Sequence, residues 1–318
     1  MTLSVKDDPI RAIPNTDPSK VVDSETVRCN LCQTVVAFGQ LARWHKDGYE
    51  IFQCRSCGLL FRASLPTFDE LSRIYGGHYF RNSDGTKADG YADYLGDEVE
   101  HRLIARRRIK SLERLRSPGK LLDVGSAAGF FLDEARRIGW DVEGIDISSD
   151  TSQWGRDRMG LKIVTGLFQE AQYPPASFDA VTMWDYIEHS IDPGSDLSKA
   201  AEVLRRGGVL MLSTGDAASA VARISGRRWH LLTPRHHNFF FTTKTLRRYL
   251  TDRGFELSYI GYPGAYYSLR YIAYKLRTMA PRSHTVHELG EWLARHPIGE
   301  RPLPLNLRDI VTIYARRL

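Results

Sequence analysis

The sequence predicts an α/β protein built on a doubly wound, mostly parallel sheet, with a small cysteine-bearing module ahead of it. Three observations carry this. From residue 120 onward, short apolar runs alternate with amphipathic stretches of helical period. A glycine-punctuated turn, Asp123-Val-Gly125-Ser126-Ala-Ala-Gly129, leads from one such run into a helical pattern. All four cysteines fall early, as two Cys-x-x-Cys pairs.

At 318 residues the chain can hold one α/β domain of about 200 residues plus a smaller appendage. The 44 Lys+Arg against 38 Asp+Glu leave a formal charge of +6. The excess is spread widely, with clusters at Arg106-Arg107-Arg108 and Arg227-Arg228, which admits nucleic acid without indicating it. Residues 1–27 contain Pro9, Pro14 and Pro18 and no apolar run long enough for a signal core, so they read as a flexible tail. No stretch of about eighteen apolar residues occurs, so no membrane span and a cytoplasmic protein are expected.

Residues 28–63 read as a zinc ribbon. Cys29, Cys32, Cys54 and Cys57 can each sit in a tight turn, and a hairpin over 38–52 would bring the two pairs together. A zinc ion held by the four thiolates then replaces a core too small to fold unaided. Disulfides or free thiols are the alternative, and His45 reads as ordinary surface. Residues 64–117 read as a helical connector or lid: Phe68, Leu71, Ile74 and Tyr75 have helical spacing, Arg81 to Gly90 is a polar loop, and Asp97 to Leu115 is a helix turning Val99, Leu103, Ile104 and Leu112 inward.

Over 118–318 the expected order is strand 120–125, helix 129–138, strand 141–146, helix 150–159, strand 161–165, strand 178–184, helix 195–204, strand 207–213, helix 245–253 and strand 255–262. Ile310 to Tyr314 is read as a final strand returning antiparallel. Residues 263–305 become a helical insertion, with an aromatic and basic amphipathic helix over Tyr266 to Arg277. That helix packs on the domain or on a partner subunit, with peripheral contact to a membrane surface as the other reading.

The turn after the first strand should hold an anionic or nucleoside ligand, because helix-start amides point outward there. Asp146, ending the second strand, is placed to accept ribose hydroxyls. A dinucleotide fingerprint needs glycine at the first, third and sixth positions, occupied here by Gly125, Ala127 and Phe130, so that ligand fits poorly.

These stretches, with Phe178-Asp179-Ala-Val-Thr-Met-Trp184-Asp185-Tyr-Ile-Glu188-His189 and Leu204-Arg-Arg-Gly207-Gly208-Val-Leu, resemble the motifs of class I S-adenosylmethionine-dependent methyltransferases. The resemblance covers residues 118–262 and implies a seven-stranded sheet of order 3-2-1-4-5-7-6. It implies that Asp123, Gly125, Ser126 and Gly129 surround the methionine part of S-adenosylmethionine and that Asp146 holds its ribose. Ile147, Gly166, Leu167 and Phe168 would lie beside the adenine, with Trp184 and Asp185 at the mouth. Ala127 stands where the family often has glycine. The ribbon, with Trp229 to Thr242, resembles a subgroup of sugar and natural-product biosynthesis. Its carbon methyltransferases carry a large further domain that this chain lacks room for, so oxygen methylation of a small-molecule or glycan hydroxyl is expected.

A hydroxyl needs its proton removed, and histidine is suited to accept it near neutral pH. His237, His236 and His189 are the candidate bases. Asp185, Glu188 and His189 also resemble a cluster that binds a divalent ion in some quinone-pathway oxygen methyltransferases; otherwise Glu188 would begin the next helix. An RNA base methyltransferase and a non-catalytic assembly protein are the competing functions. The oligomeric state is not legible.

Overall fold

The computed structural model describes residues 26–37, 42–76, 94–273 and 283–318. The expected tail, apart from its last two residues, and the loop Arg81 to Gly90 lie outside the described residues.

The central strand, β9 (Phe178–Trp184), is buried along its whole length, as expected of a strand covered by helices on both faces. Beside it run β6 (Lys120–Val124), β7 (Asp141–Asp146) and β8 (Ile163–Thr165) on one side and β10 (Leu204–Gly215) on the other, all parallel. β15 (Ile310–Arg317) then enters antiparallel between β10 and β12 (Phe255–Gly261). The order β12-β15-β10-β9-β6-β7-β8 is the expected 3-2-1-4-5-7-6 read from the other edge.

The crossover helices begin where the sequence supplies caps. Gly129, at φ +85°, opens α3 (Phe130–Arg137). The Ser148 hydroxyl accepts from Thr151 to start α4 (Ser149–Met159), and Asp192 followed by Pro193 starts α5 (Pro193–Val203). A threonine capping box, Thr242 with Thr245, starts α7 (Thr243–Thr251). Each βα turn lies at the carboxyl end of its strand, where this architecture binds ligands.

The connector holds α1 (Phe68–Ile74) and α2 (Glu98–Glu113). The inward face of α2 differs from the expected one: Ala105, Ile109 and Leu112 are buried, whereas Val99 is 62% exposed and Leu103 and Ile104 are half-buried. Ion pairs set this rotation. Arg102 reaches Glu98 at 2.6 Å, Asp133 at 2.7 Å and Glu134 at 2.8 Å, fastening α2 to α3 by its polar edge.

The insertion is not simply helical. β13 (Ala265–Ser268) pairs antiparallel with β14 (Pro302–Leu305), around α8 (His284–Arg295). Tyr266 and Tyr267 therefore lie on a strand, not on the expected helix. Gly264 turns the chain at φ +68°, and the Ser268 hydroxyl accepts from Tyr271 to start the helical turn that follows. The end of that expected helix, residues 274–277, lies outside the described residues. No helix of the described residues is long and apolar enough to cross a membrane.

The ribbon is also less separate than expected. β1 (Thr26–Arg28) pairs with β2 (Val35–Ala37), while β3 (Ala42–Lys46), β4 (Tyr49–Gln53) and β5 (Leu60–Arg62) form a second sheet. That sheet is completed by β11 (Phe239–Phe240), a strand from the region after β10, in the order β11-β5-β4-β3. Cys29, Cys54, Leu59 and Phe61 share one core with Phe178, Leu197, Phe241 and Tyr249. The Asn30 side chain donates to Asp192 at 3.0 Å and accepts from the Tyr249 hydroxyl at 2.8 Å, sealing the junction.

Candidate active site

A cavity of about 440 Å³ opens over the carboxyl ends of β6, β7, β9 and β10. One half is built by the glycine turn. Gly125 adopts φ +75°, and a Cβ there would lie 2.8 Å from the Tyr186 ring, so only glycine fits. Both carboxylate oxygens of Asp146 accept backbone N–H groups, from Ala127 at 2.7 Å and Ser148 at 2.8 Å, which holds the turn against the second strand. Asp123 accepts from the Thr182 hydroxyl at 2.6 Å. Burial pushes the Asp146 carboxyl up to about 6 and the Asp123 carboxyl up to about 7, in the latter case against the Thr182 hydrogen bond. Ser126 Oγ is buried and has no hydrogen-bond partner among the described residues.

Ile147, Gly166, Leu167 and Phe168 line the same half. Gly166 donates its N–H to the Asp146 carbonyl at 2.9 Å, which brings the end of β8 alongside β7. Trp184 is packed edge-on against Phe131, with the Arg108 guanidinium 4.3 Å from its ring centroid. Asp185, at φ +51°, pairs with Arg108 at 2.9 Å and accepts from Ser213 Oγ at 2.8 Å.

The other half gathers histidines. A nitrogen of His189, a nitrogen of His237 and a carboxylate oxygen of Glu188 all lie within 4.8 Å of one another. The two rings stand nearly perpendicular, 4.7 Å apart. His237 Nδ1 faces the Leu231 carbonyl at 2.8 Å, and His189 Nδ1 faces the His236 carbonyl at 3.0 Å. A carbonyl only accepts, so both Nδ1 atoms carry a proton, and Nε2 is the nitrogen of each ring that remains to accept one. The Tyr75 hydroxyl sits 2.7 Å from His189 Nδ1 and donates to the His236 carbonyl at 3.2 Å. Burial lowers the His189 pKa, keeping the ring neutral. Burial, with the charge of Asp185 adding to it, pushes Glu188 up to about 8, and its Oε2 has no partner among the described residues.

A methyltransferase-domain family matches residues 97–259, more than half of the chain. The chain belongs to that family. Its fold is that of the class I, S-adenosylmethionine-dependent methyltransferases. The geranyl diphosphate C-methyltransferase of Streptomyces coelicolor superposes with a TM-score of 0.50 at 16% identity, covering 80% of this methyltransferase and 99% of that chain, a likeness of fold alone. Among sequences, it is 29% identical over 150 residues to a ubiquinone biosynthesis O-methyltransferase of Xanthomonas euvesicatoria, covering 43% of this chain and 63% of the relative. A protein so named from an Azoarcus species is 30% identical, covering 43% and 64%. The methyltransferase thus spans a little under two thirds of the length of these relatives.

The groups present fit S-adenosylmethionine. The orphaned Ser126 hydroxyl, the Cβ-free approach at Gly125 and the carboxylates of Asp123 and Asp146 form an acceptor-rich lining for an ammonium group and ribose hydroxyls. In the second half, the expected pairing of Asp185 with Glu188 and His189 is replaced by a grouping of Glu188 and His189 with His237. Asp185 instead turns to Arg108 and Ser213. His236 lines the cavity and contributes its backbone carbonyl to His189. Glu188 does not begin a helix: α5 starts only at Pro193, after the Asp192 cap.

The four cysteines form no disulfide, with Cys29 Sγ and Cys57 Sγ 3.5 Å apart and Cys32 Sγ and Cys54 Sγ also 3.5 Å apart. All four sulfurs lie within 4.8 Å of one another. Tetrahedral zinc with bonds of about 2.3 Å would hold sulfurs roughly 3.8 Å apart, so the cluster has the size of such a site. His45 takes no part and pairs with Glu50 at 3.1 Å.

Several lining residues carry no motif. Tyr75 and Tyr94 come from the connector, Arg108 from α2, and Tyr266 and Tyr267 from β13. Only the aromatic density of 266–274 hinted at the last two. Tyr94, its ring centroid 4.2 Å from that of His101 and stacked on Phe130 at 5.8 Å, reaches the cofactor half from a turn that periodicity could not place.

Proposed function

We propose that this methyltransferase transfers the methyl group of S-adenosylmethionine to a hydroxyl oxygen of a small molecule. The observation that carries the reading is the pairing of two histidines and a buried carboxyl in the cavity that the glycine turn opens into. The cofactor supplies an electrophilic methyl on a sulfonium, whose bond electrons stay with sulfur as the new C–O bond forms. The protein has to align the acceptor, exclude water and receive a proton. Nε2 of His237 or His189 receives the hydroxyl proton, and the Leu231 and His236 carbonyls stabilise the imidazolium through the Nδ1–H groups. Tyr75, Trp184, Tyr266, Tyr267 and Tyr271 give the acceptor side flat apolar faces, which favours a hydroxylated ring.

The names of the relatives support oxygen methylation and point to ubiquinone biosynthesis; they lend no support to a sugar or glycan acceptor. The orphaned Glu188 Oε2 favours a second reading of the same cluster, in which Glu188, His189 and His237 hold a divalent ion that acidifies the hydroxyl. Structural zinc on the four cysteines belongs to either reading.

The test is transfer of a labelled methyl to panels of hydroxylated aromatics and of sugars, with and without chelator. Turnover of the aromatic panel is expected. Transfer to neither panel, with S-adenosylmethionine nevertheless bound, overturns the acceptor class. Activity abolished by chelator and restored by a divalent ion selects the metal reading.

A further inference from the structure

Arg62 is buried, yet among the described residues it makes no ion pair. Burying a guanidinium without a carboxylate partner costs several kcal/mol, so its donors must be holding something. They hold backbone: Nε donates to the Ser64 carbonyl at 2.8 Å and NH1 to the Pro234 carbonyl at 3.1 Å, while the guanidinium lies 4.4 Å from the Tyr49 ring centroid. The Arg62 N–H donates to the Asn238 carbonyl at 2.8 Å, next to the β5–β11 pairing. A second ribbon cation acts alike, since Lys46 Nζ donates to the Leu232 carbonyl at 2.5 Å.

The segment between these anchors carries the histidines. The N–H groups of His236 and His237 both bond the Thr233 carbonyl, and the Leu231 carbonyl holds His237 Nδ1. The Asn238 side chain then donates to the carbonyls of His189 at 2.9 Å and Ser190 at 3.2 Å, tying this loop to the other histidine. We propose that the ribbon is a positioning element of the active site, with Arg62, seconded by Lys46, fixing the 231–238 loop so that His237 faces His189. This rests on the proposed function, because positioning matters only if His237 takes part in transfer.

The test compares Arg62→Met, Arg62→Lys and Lys46→Met with the parent protein. Arg62→Met should lower kcat by about 10- to 100-fold, the range for a catalytic group displaced by about an ångström. Cofactor Kd and bound zinc should stay within about twofold, and amide hydrogen exchange should rise over 231–238. Arg62→Lys should recover part of kcat, and Lys46→Met should show a smaller loss. Adding Arg62→Met to His237→Ala should cost little more, because both act through one group. Unchanged kcat and exchange in both Arg62→Met and Lys46→Met overturns the proposal, as does a fall in kcat matched by equal losses of zinc and cofactor binding. If His237→Ala keeps full turnover while Arg62→Met still raises exchange over 231–238, the base assignment fails and the clamp stands.

Discussion

Replacing Asp146 by asparagine separates what the carboxylate does for the fold from what it does for the ligand. In the folded chain Asp146 Oδ2 accepts from Ala127 and Oδ1 from Ser148. An amide keeps one of these bonds and turns its NH2 toward the other N–H, losing a charge-assisted bond worth about 1.5–3 kcal/mol. The change is offset. Burial raises this carboxyl from 3.8 to about 6, a cost to the folded state of about 3 kcal/mol once pH exceeds 6, and the neutral amide relieves it. The ligand-free protein should therefore melt within a few degrees of the parent at pH 8. No such relief reaches the ligand: losing an ionised acceptor for ribose hydroxyls should weaken S-adenosylmethionine about 10- to 100-fold, or roughly 1.4–2.8 kcal/mol. Calorimetric titration with differential scanning fluorimetry at pH 8 reads both quantities. At pH 5 the parent is itself largely protonated at Asp146, so the gap in affinity should narrow. A Kd within twofold of the parent, or an affinity loss tracking a collapse in Tm, would refute the reasoning.

Alanine at both His189 and His237 should lower turnover by at least about 100-fold while cofactor Kd holds, checked by single-turnover assay; near-normal rates would remove histidine base catalysis. Cys54→Ser should abolish stoichiometric zinc in elemental analysis and lower Tm by several degrees, since one thiolate of four is lost and Cys54 sits in the shared core. Glu188→Gln should flatten the pH dependence of stability. Burial raises Glu188 from 4.5 to about 8, so the stability it contributes is complete below about 4.5 and is lost as pH climbs through 8. The Tm of the parent should fall relative to the variant between pH 5 and 9, and a difference that does not change with pH would contradict the buried, protonated carboxyl.

The sheet was legible because its strands are continuous apolar runs punctuated by caps. Ser148, Asp192-Pro193 and Thr242 announce their helices locally, and Ile310 to Tyr314 has strand composition. What escaped reading depends on partners distant in sequence. Period alone turns Val99 inward, but α2 is rotated by ion pairs from Arg102 to carboxylates about thirty residues away. Tyr266 and Tyr267 fit either an aromatic helix or a strand, and only the approach of Pro302–Leu305 decides between them. In the site, Asp123, Gly125 and Asp146 could be located from the turn. The meeting of His237 with His189 could not, because it depends on the Asn238 staple and on a two-residue strand that no sequence window distinguishes from loop.

That two-residue strand decides how the protein can be taken apart. Phe239–Phe240 closes a sheet whose other three strands lie some 180 residues earlier, and the cysteine turns are walled by side chains of α5 and α7. The ribbon is therefore not a portable cassette. Cut after residue 63, the N-terminal piece loses its fourth strand and exposes Phe61, while the remainder loses the cover of Phe239 and Phe241. The two should melt in one cooperative transition, and a graft of either onto a foreign partner should fail unless the matching half of the seam travels with it.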